Sequence, residues 1–150
     1  MIINKKLKRF LIFFAYSIFV IFIVIQVGNY GLVLRRGASA TFKMFPVIIY
    51  YAITPIFYGL LLAIPYFIHE TRKKGKLKFD WIKFLAIGIP SLYLVFFHLI
   101  YFFIPSLAQY IYPHRFVLLD SNIIIAFGGI VFGYLILTSL YKEVSEDLEK

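Results

Sequence analysis

The chain contains no cysteine, which excludes a disulfide framework, a thiolate nucleophile, a cysteine metal site and dithiol redox chemistry. Charge is also scarce. Only 15% of the 150 residues are Asp, Glu, Lys or Arg, against 62% hydrophobic, so there is more apolar surface than one water-soluble domain can bury. Carboxylates are the scarcest charged groups. The seven Asp and Glu residues all fall outside the middles of the apolar runs, which leaves carboxylate-based proton coupling inside a membrane without its usual group. Paired catalytic carboxylates and a recognisable nucleophile with its base are missing too, so no enzyme class is indicated.

What is present is a set of four long apolar runs, at residues 10–34, 44–68, 81–104 and 123–141. About 20 mostly apolar residues suffice for a helix to cross about 30 Å of hydrocarbon. No alternation of apolar and polar residues suggests a barrel, and lone strands cannot satisfy their backbone in lipid. The expected fold is therefore an all-α integral membrane protein, a single domain over residues 1–150 with four transmembrane helices. The first run resembles a secretory signal, with Lys5, Lys6, Lys8 and Arg9 before it and Ala38-Ser39-Ala40 after it. Its apolar stretch is too long for one, and Arg35 and Arg36 intervene, so an uncleaved anchor is expected.

The excess of Lys and Arg, 16 against seven acidic residues, reads as topology. Twelve lie in the N-terminal segment, the second loop with its flanks and the C-terminal segment. Arg35, Arg36, Lys43 and Arg115 lie opposite. Both termini are therefore expected in the cytoplasm. Trp81, Tyr66, Tyr110, Tyr112 and Tyr141 fall near the expected interfaces, where amphipathic rings anchor helices. The richness in Phe, Tyr, Ile and Lys suggests AT-rich codons, hence a bacterial plasma membrane. The second loop carries five cations at Arg72, Lys73, Lys74, Lys76 and Lys78, and its expected partner is anionic lipid, not nucleic acid, for which no binding motif is present. Glu143, Glu146, Asp147 and Glu149 are expected to extend the fourth helix as an acidic stub, either solvated or paired with that loop.

Four groups of residues are candidates for a role. Asn122, Ala126, Gly129 and Gly133 share one face of the fourth helix, where small residues admit another backbone. That face serves either a second chain or, as the simpler reading, span one or three of the same chain. In the second span, Pro55 frees the carbonyl of Tyr51, while Tyr51, Thr54 and Tyr58 form a polar stripe. With Ser91 and His98 of the third span they are candidates for an ion or ligand pathway. The simpler reading is a static kink, with a neutral histidine bonded across the bundle. Gln26, Asn29, Arg35 and Arg36, with His114 and Arg115, form a candidate outer polar cluster suited to an anion. His69, His98 and His114 fall at three different depths, so no metal site is expected, and no cofactor.

The leading expectation for function is a non-enzymatic, interaction-type membrane protein: an accessory subunit, assembly factor or protective factor, as a homo-oligomer or beside a larger partner. The alternative is a small oligomeric transporter or channel built on the kinked second span and His98. A lipid-acting enzyme using His114 or His98 with Arg115 ranks third. Size and span count are similar to those of small multidrug exporters, but the first-span carboxylate on which those depend has no counterpart here.

Overall fold

The computed structural model describes residues 2–104, Ser106 and 122–143, without the side chains of Ile2, Ile3, His98, Tyr101, Phe102 and Asn122. The described residues are mostly helical and form four helices: α1 (Ile2–Thr41), α2 (Phe45–Thr71), α3 (Trp81–Phe103) and α4 (Asn122–Thr138). Two short strands, β1 (Lys76–Phe79) and β2 (Leu140–Glu143), pair antiparallel. The expectation of an all-α chain is thus amended by one small sheet. The chain divides into two compact units, residues 1–44 and 45–150.

The first unit is essentially α1. At 1.5 Å per residue its 40 residues make a rod about 60 Å long. It runs past the apolar stretch in both directions. Arg35 and Arg36, expected in a loop, are therefore helical, because arginine is a good helix former whose charge ends an apolar run without ending the helix. Ser39 and Thr41 donate their hydroxyls to the carbonyls of Arg35 and Gly37 in the last turns, at 3.0 and 2.9 Å. The helix stops at Phe42, whose φ of 56° is left-handed. Large apolar side chains stay half-exposed along the rod, from Phe10 at 62% to Val33 at 64%.

In the second unit α4 packs between α2 and α3. The start of α2 meets the end of α3, where the rings of Phe45 and Phe103 lie edge to face at 5.3 Å, so these two helices run antiparallel. The core is formed by small and branched residues around one aromatic ring: Ala52, Leu61 and Ala63 from α2, Val95 and Phe97 from α3, Ile125 and Leu135 from α4. Helix α2 continues through Pro55 and Pro65, and α3 through Pro90. In α3 the Ser91 hydroxyl bonds the carbonyl of Ile87 at 2.8 Å, one position past the donor that Pro90 lacks.

The expected fourth span ends early. Helix α4 stops at Thr138, and residues 140–143 are a strand, not the beginning of a helical acidic stub. The register pairs Lys76 with Glu143, Leu77 with Lys142, Lys78 with Tyr141 and Phe79 with Leu140. Alternating side chains then put Lys76, Lys78, Tyr141 and Glu143 on one face of the sheet, and Leu77, Phe79, Leu140 and Lys142 on the other. Strand pairing satisfies the backbone of both segments through the ladder, and it also brings Glu143 to Lys78, with which it forms an exposed salt bridge. Glu146, Asp147 and Glu149 lie outside the described residues.

Ser139, between α4 and β2, is completely buried. Its backbone is satisfied, donating to Leu135 O at 2.9 Å and accepting from the Asp80 N–H at 2.8 Å, but its hydroxyl has no partner among the described residues. A buried hydroxyl without a partner costs about 1–3 kcal/mol. Ser139→Ala should therefore raise the thermal unfolding temperature of the detergent-solubilised protein, by about 1 kcal/mol of stability. A lowered temperature would show that the hydroxyl is bonded.

Candidate functional site

The candidate residues fall into separate places, and the closest structure among them is the crossing of α2 and α4. A Cβ added at Gly129 would lie 2.6 Å from Cβ of Pro55. One added at Gly133 would run into the carbonyl of Ile56, and one at Gly59 into the carbonyl of Ile130, with Cα of Gly133 at 2.9 Å. Gly59 and Gly133 thus face each other where the two backbones meet, close enough for Cα–H groups to approach carbonyl oxygens. The face bearing Gly129 and Gly133 is taken by α2, not by span one or three. Gly128 faces the other way, where its added Cβ would be 2.8 Å from Cβ of Leu94 and 3.0 Å from the carbonyl of Ser91. Ala126 is half-buried on α4. The sequence reading missed Gly59 and Gly128. The small residues Ala52, Gly59 and Ala63, spaced by seven and four, were the available signal for α2.

Pro55 fills the notch at Gly129 and is buried. The polar stripe beside it does not converge. The Thr54 hydroxyl donates to Tyr50 O of its own helix at 2.7 Å, Tyr51 is 44% exposed, and Tyr58 is half-buried. Ser91 likewise bonds within α3. The side chain of His98 lies outside the described residues.

Of the outer polar cluster, Gln26, Asn29, Arg35 and Arg36 are exposed on α1. At 100° per residue Arg35 lies on the opposite side of the helix from Gln26, while Arg36 is close to the line of Asn29, so the four do not make one face. His114 and Arg115 are outside the described residues.

The most organised polar structure is where α2 ends, α3 begins and α4 passes into β2. Glu70, the last carboxylate of α2, is 4% exposed. One oxygen takes Lys73 Nζ at 2.6 Å, and the other the backbone N–H of Lys142 at 3.2 Å. The Lys73 hydrogen bond, then that of Lys142, hold its carboxyl below the ordinary carboxylate value, against the opposing effect of burial. Lys142 in turn extends Nζ to the carbonyls of Thr71 and Lys73, at 2.6 and 2.8 Å. Lys83 does the same for α4, reaching Thr138 O at 2.9 Å, while its own N–H is capped by Asp80 Oδ1 at 3.0 Å. Two helix C-termini, where carbonyls lack partners and the dipole is negative, are thus each closed by a lysine from a neighbouring element.

This clamp changes the reading of the basic second loop. Lys73 is paired with Glu70 and Lys78 with Glu143. Arg72, Lys74 and Lys76 are exposed and have no ion pair among the described residues. Gly75, at φ 141°, makes the turn between them. Beside the clamp, Phe79, Trp81 and Phe84 form an aromatic cluster, with ring centroids 4.7 Å apart for Phe79 and Trp81 and 5.1 Å for Phe79 and Phe84. Phe132 of α4 joins it at 5.9 Å from Phe84. Trp81 and Ile82 remain 64% and 84% exposed at the rim. Two helical stretches, Asn4–Thr41 and Phe45–Thr71, are long and apolar enough to cross a membrane, and Trp81–Phe97 and Ile123–Thr138 are shorter apolar stretches. Comparison with protein-family models, with curated proteins and with solved structures finds no match for this chain.

Proposed function

We propose that this chain is a four-span protein of a bacterial plasma membrane, with both termini cytoplasmic, that acts without catalysis as an accessory or assembly partner of a larger membrane protein. The observation that carries the reading is the surface of α1. A rod of 40 residues that leaves Phe10, Phe14, Phe22 and Val33 more than half exposed needs lipid or an apolar partner around it. Part of the candidate chemistry is spent inside the fold. Gly129 and Gly133 are occupied by α2, and the hydroxyls of Thr54 and Ser91 bond their own helices, which counts against a polar pathway. The clamp end, with its excess of lysine and arginine, belongs on the cytoplasmic side by the distribution of positive charge.

Orientation is testable because the chain has no cysteine of its own. A single Lys74→Cys variant should react with a membrane-impermeant maleimide only after the cells are permeabilised, and Lys43→Cys should react without permeabilisation. Labelling of both from outside, or of neither, would sink the arrangement. For the role, gentle extraction followed by native mass spectrometry should recover a larger protein at fixed stoichiometry. Recovery only as a homo-oligomer that moves ions in liposomes would replace this reading by the transporter.

A further inference from the structure

We infer that the clamp end carries a surface for anionic phospholipid headgroups, made by Arg72, Lys74 and Lys76 and not by the basic loop as a whole. The inference rests on the membrane reading above and divides the cations into two sets. Lys73, Lys78, Lys83 and Lys142 are committed to Glu70, Glu143 and the carbonyl ends of α4 and α2. They position the clamp and have little capacity left for a ligand. Arg72, Lys74 and Lys76 stand on the turn around Gly75, exposed and with no described carboxylate in ion-pair reach. Three exposed cations within five residues, with no ion pair among the described residues, stand at the end of an apolar helix and meet the charge that an anionic leaflet presents.

The apolar groups next to them set the depth. Leu77 is 50% exposed on the sheet face opposite Lys76, and Trp81 and Ile82 are exposed where α3 begins. An indole at a helix end with cations nearby is the arrangement that lies at headgroup level, ring towards the chains and charge towards the phosphates. A free anion would have no use for this apolar rim. The partner is therefore phospholipid, and the cationic groups select the anionic kind.

The test uses the full chain reconstituted in nanodiscs of phosphatidylcholine with a minority of phosphatidylglycerol, then released for native mass spectrometry. Wild type should retain phosphatidylglycerol in preference, and excess inorganic phosphate should not displace it. Each surface cation removed should lower the preference about fivefold, so Arg72→Gln, Lys74→Gln and Lys76→Gln together should abolish it. Lys78→Gln with Glu143→Gln, which deletes a pair already neutral, should leave it intact. Retention by the triple variant, equal loss in the double variant, or displacement by phosphate would each overturn the assignment. Trp81 is the chain's one tryptophan, so its quenching by brominated phosphatidylcholine tests the membrane reading separately. Absent quenching would defeat that reading, whereas quenching without lipid preference would defeat only this one.

Discussion

Gly133→Ala should lower the unfolding temperature of the purified protein in mild detergent as much as any single methyl group added to the described helices. Two effects oppose. Alanine is favoured over glycine in a helix interior by about 1 kcal/mol, and overpacking a close contact costs about 1–3 kcal/mol. At Gly133 the second effect wins, because the new Cβ meets the carbonyl of Ile56, with Ile56 C at 2.9 Å and Leu60 N at 3.0 Å. All three are backbone atoms that cannot rotate aside. The helices must separate, which also loosens the seat of Pro55 against Gly129. The net loss should be about 2 kcal/mol. Gly59→Ala should cost a similar amount, and the double variant less than the two together, since both widen one crossing. Gly28→Ala on α1, where an added Cβ meets nothing within 4 Å, should instead be neutral or stabilising. A Gly133→Ala protein as stable as wild type would mean that the helices do not cross there.

That contrast also shows what was legible in the sequence. The apolar runs located the four described helices, because length and hydrophobicity act locally. Their ends were less legible: Arg35 and Arg36 interrupt apolarity but not helicity, and Leu140-Tyr141-Lys142-Glu143 becomes a strand because β1, more than 60 residues earlier in the chain, is there to pair with it. The step of Gly129 and Gly133 could be read as a packing face, but its partner could not, because Gly59 stands alone as a glycine in α2 and its meaning depends on which helix crosses it. The charge total pointed to orientation and could not reveal that Lys83 and Lys142 close helix ends, since nothing local marks a lysine that will reach a carbonyl 55 or 71 residues away. The pathway candidates illustrate the converse. Tyr51, Thr54 and Tyr58 do share a side of α2, yet Thr54 satisfies its hydroxyl within its own helix.

Lys142→Glu should open the clamp. In wild type the Lys142 ammonium donates to two carbonyls at the end of α2, and its backbone N–H to the buried Glu70. A hydrogen bond from a charged donor is worth about 1.5–3 kcal/mol, and water at this half-exposed site reduces the pair to about 2 kcal/mol together. The replacement adds a carboxylate beside Glu70 and against the negative end of the helix dipole, so the loss exceeds that of simple truncation. Strand β2 should leave β1, and trypsin should cleave within residues 72–78 of the folded protein about thirtyfold faster or more. Lys74→Glu, at an exposed cation outside the clamp, should leave the rate unchanged apart from its own lost cleavage site. Acid should reproduce the opening in wild type. The folded carboxyl of Glu70 is held below its ordinary value, so its contribution is complete above that value and is lost as the pH falls through the depressed one. A protease that stays active in acid should therefore find the loop more accessible at low pH, and Glu70→Gln should remove most of that pH dependence. If cleavage of the Lys142→Glu protein matched wild type at neutral pH, the lysine would be a surface group, and β2 would be held to β1 by its ladder and the Lys78–Glu143 pair without it.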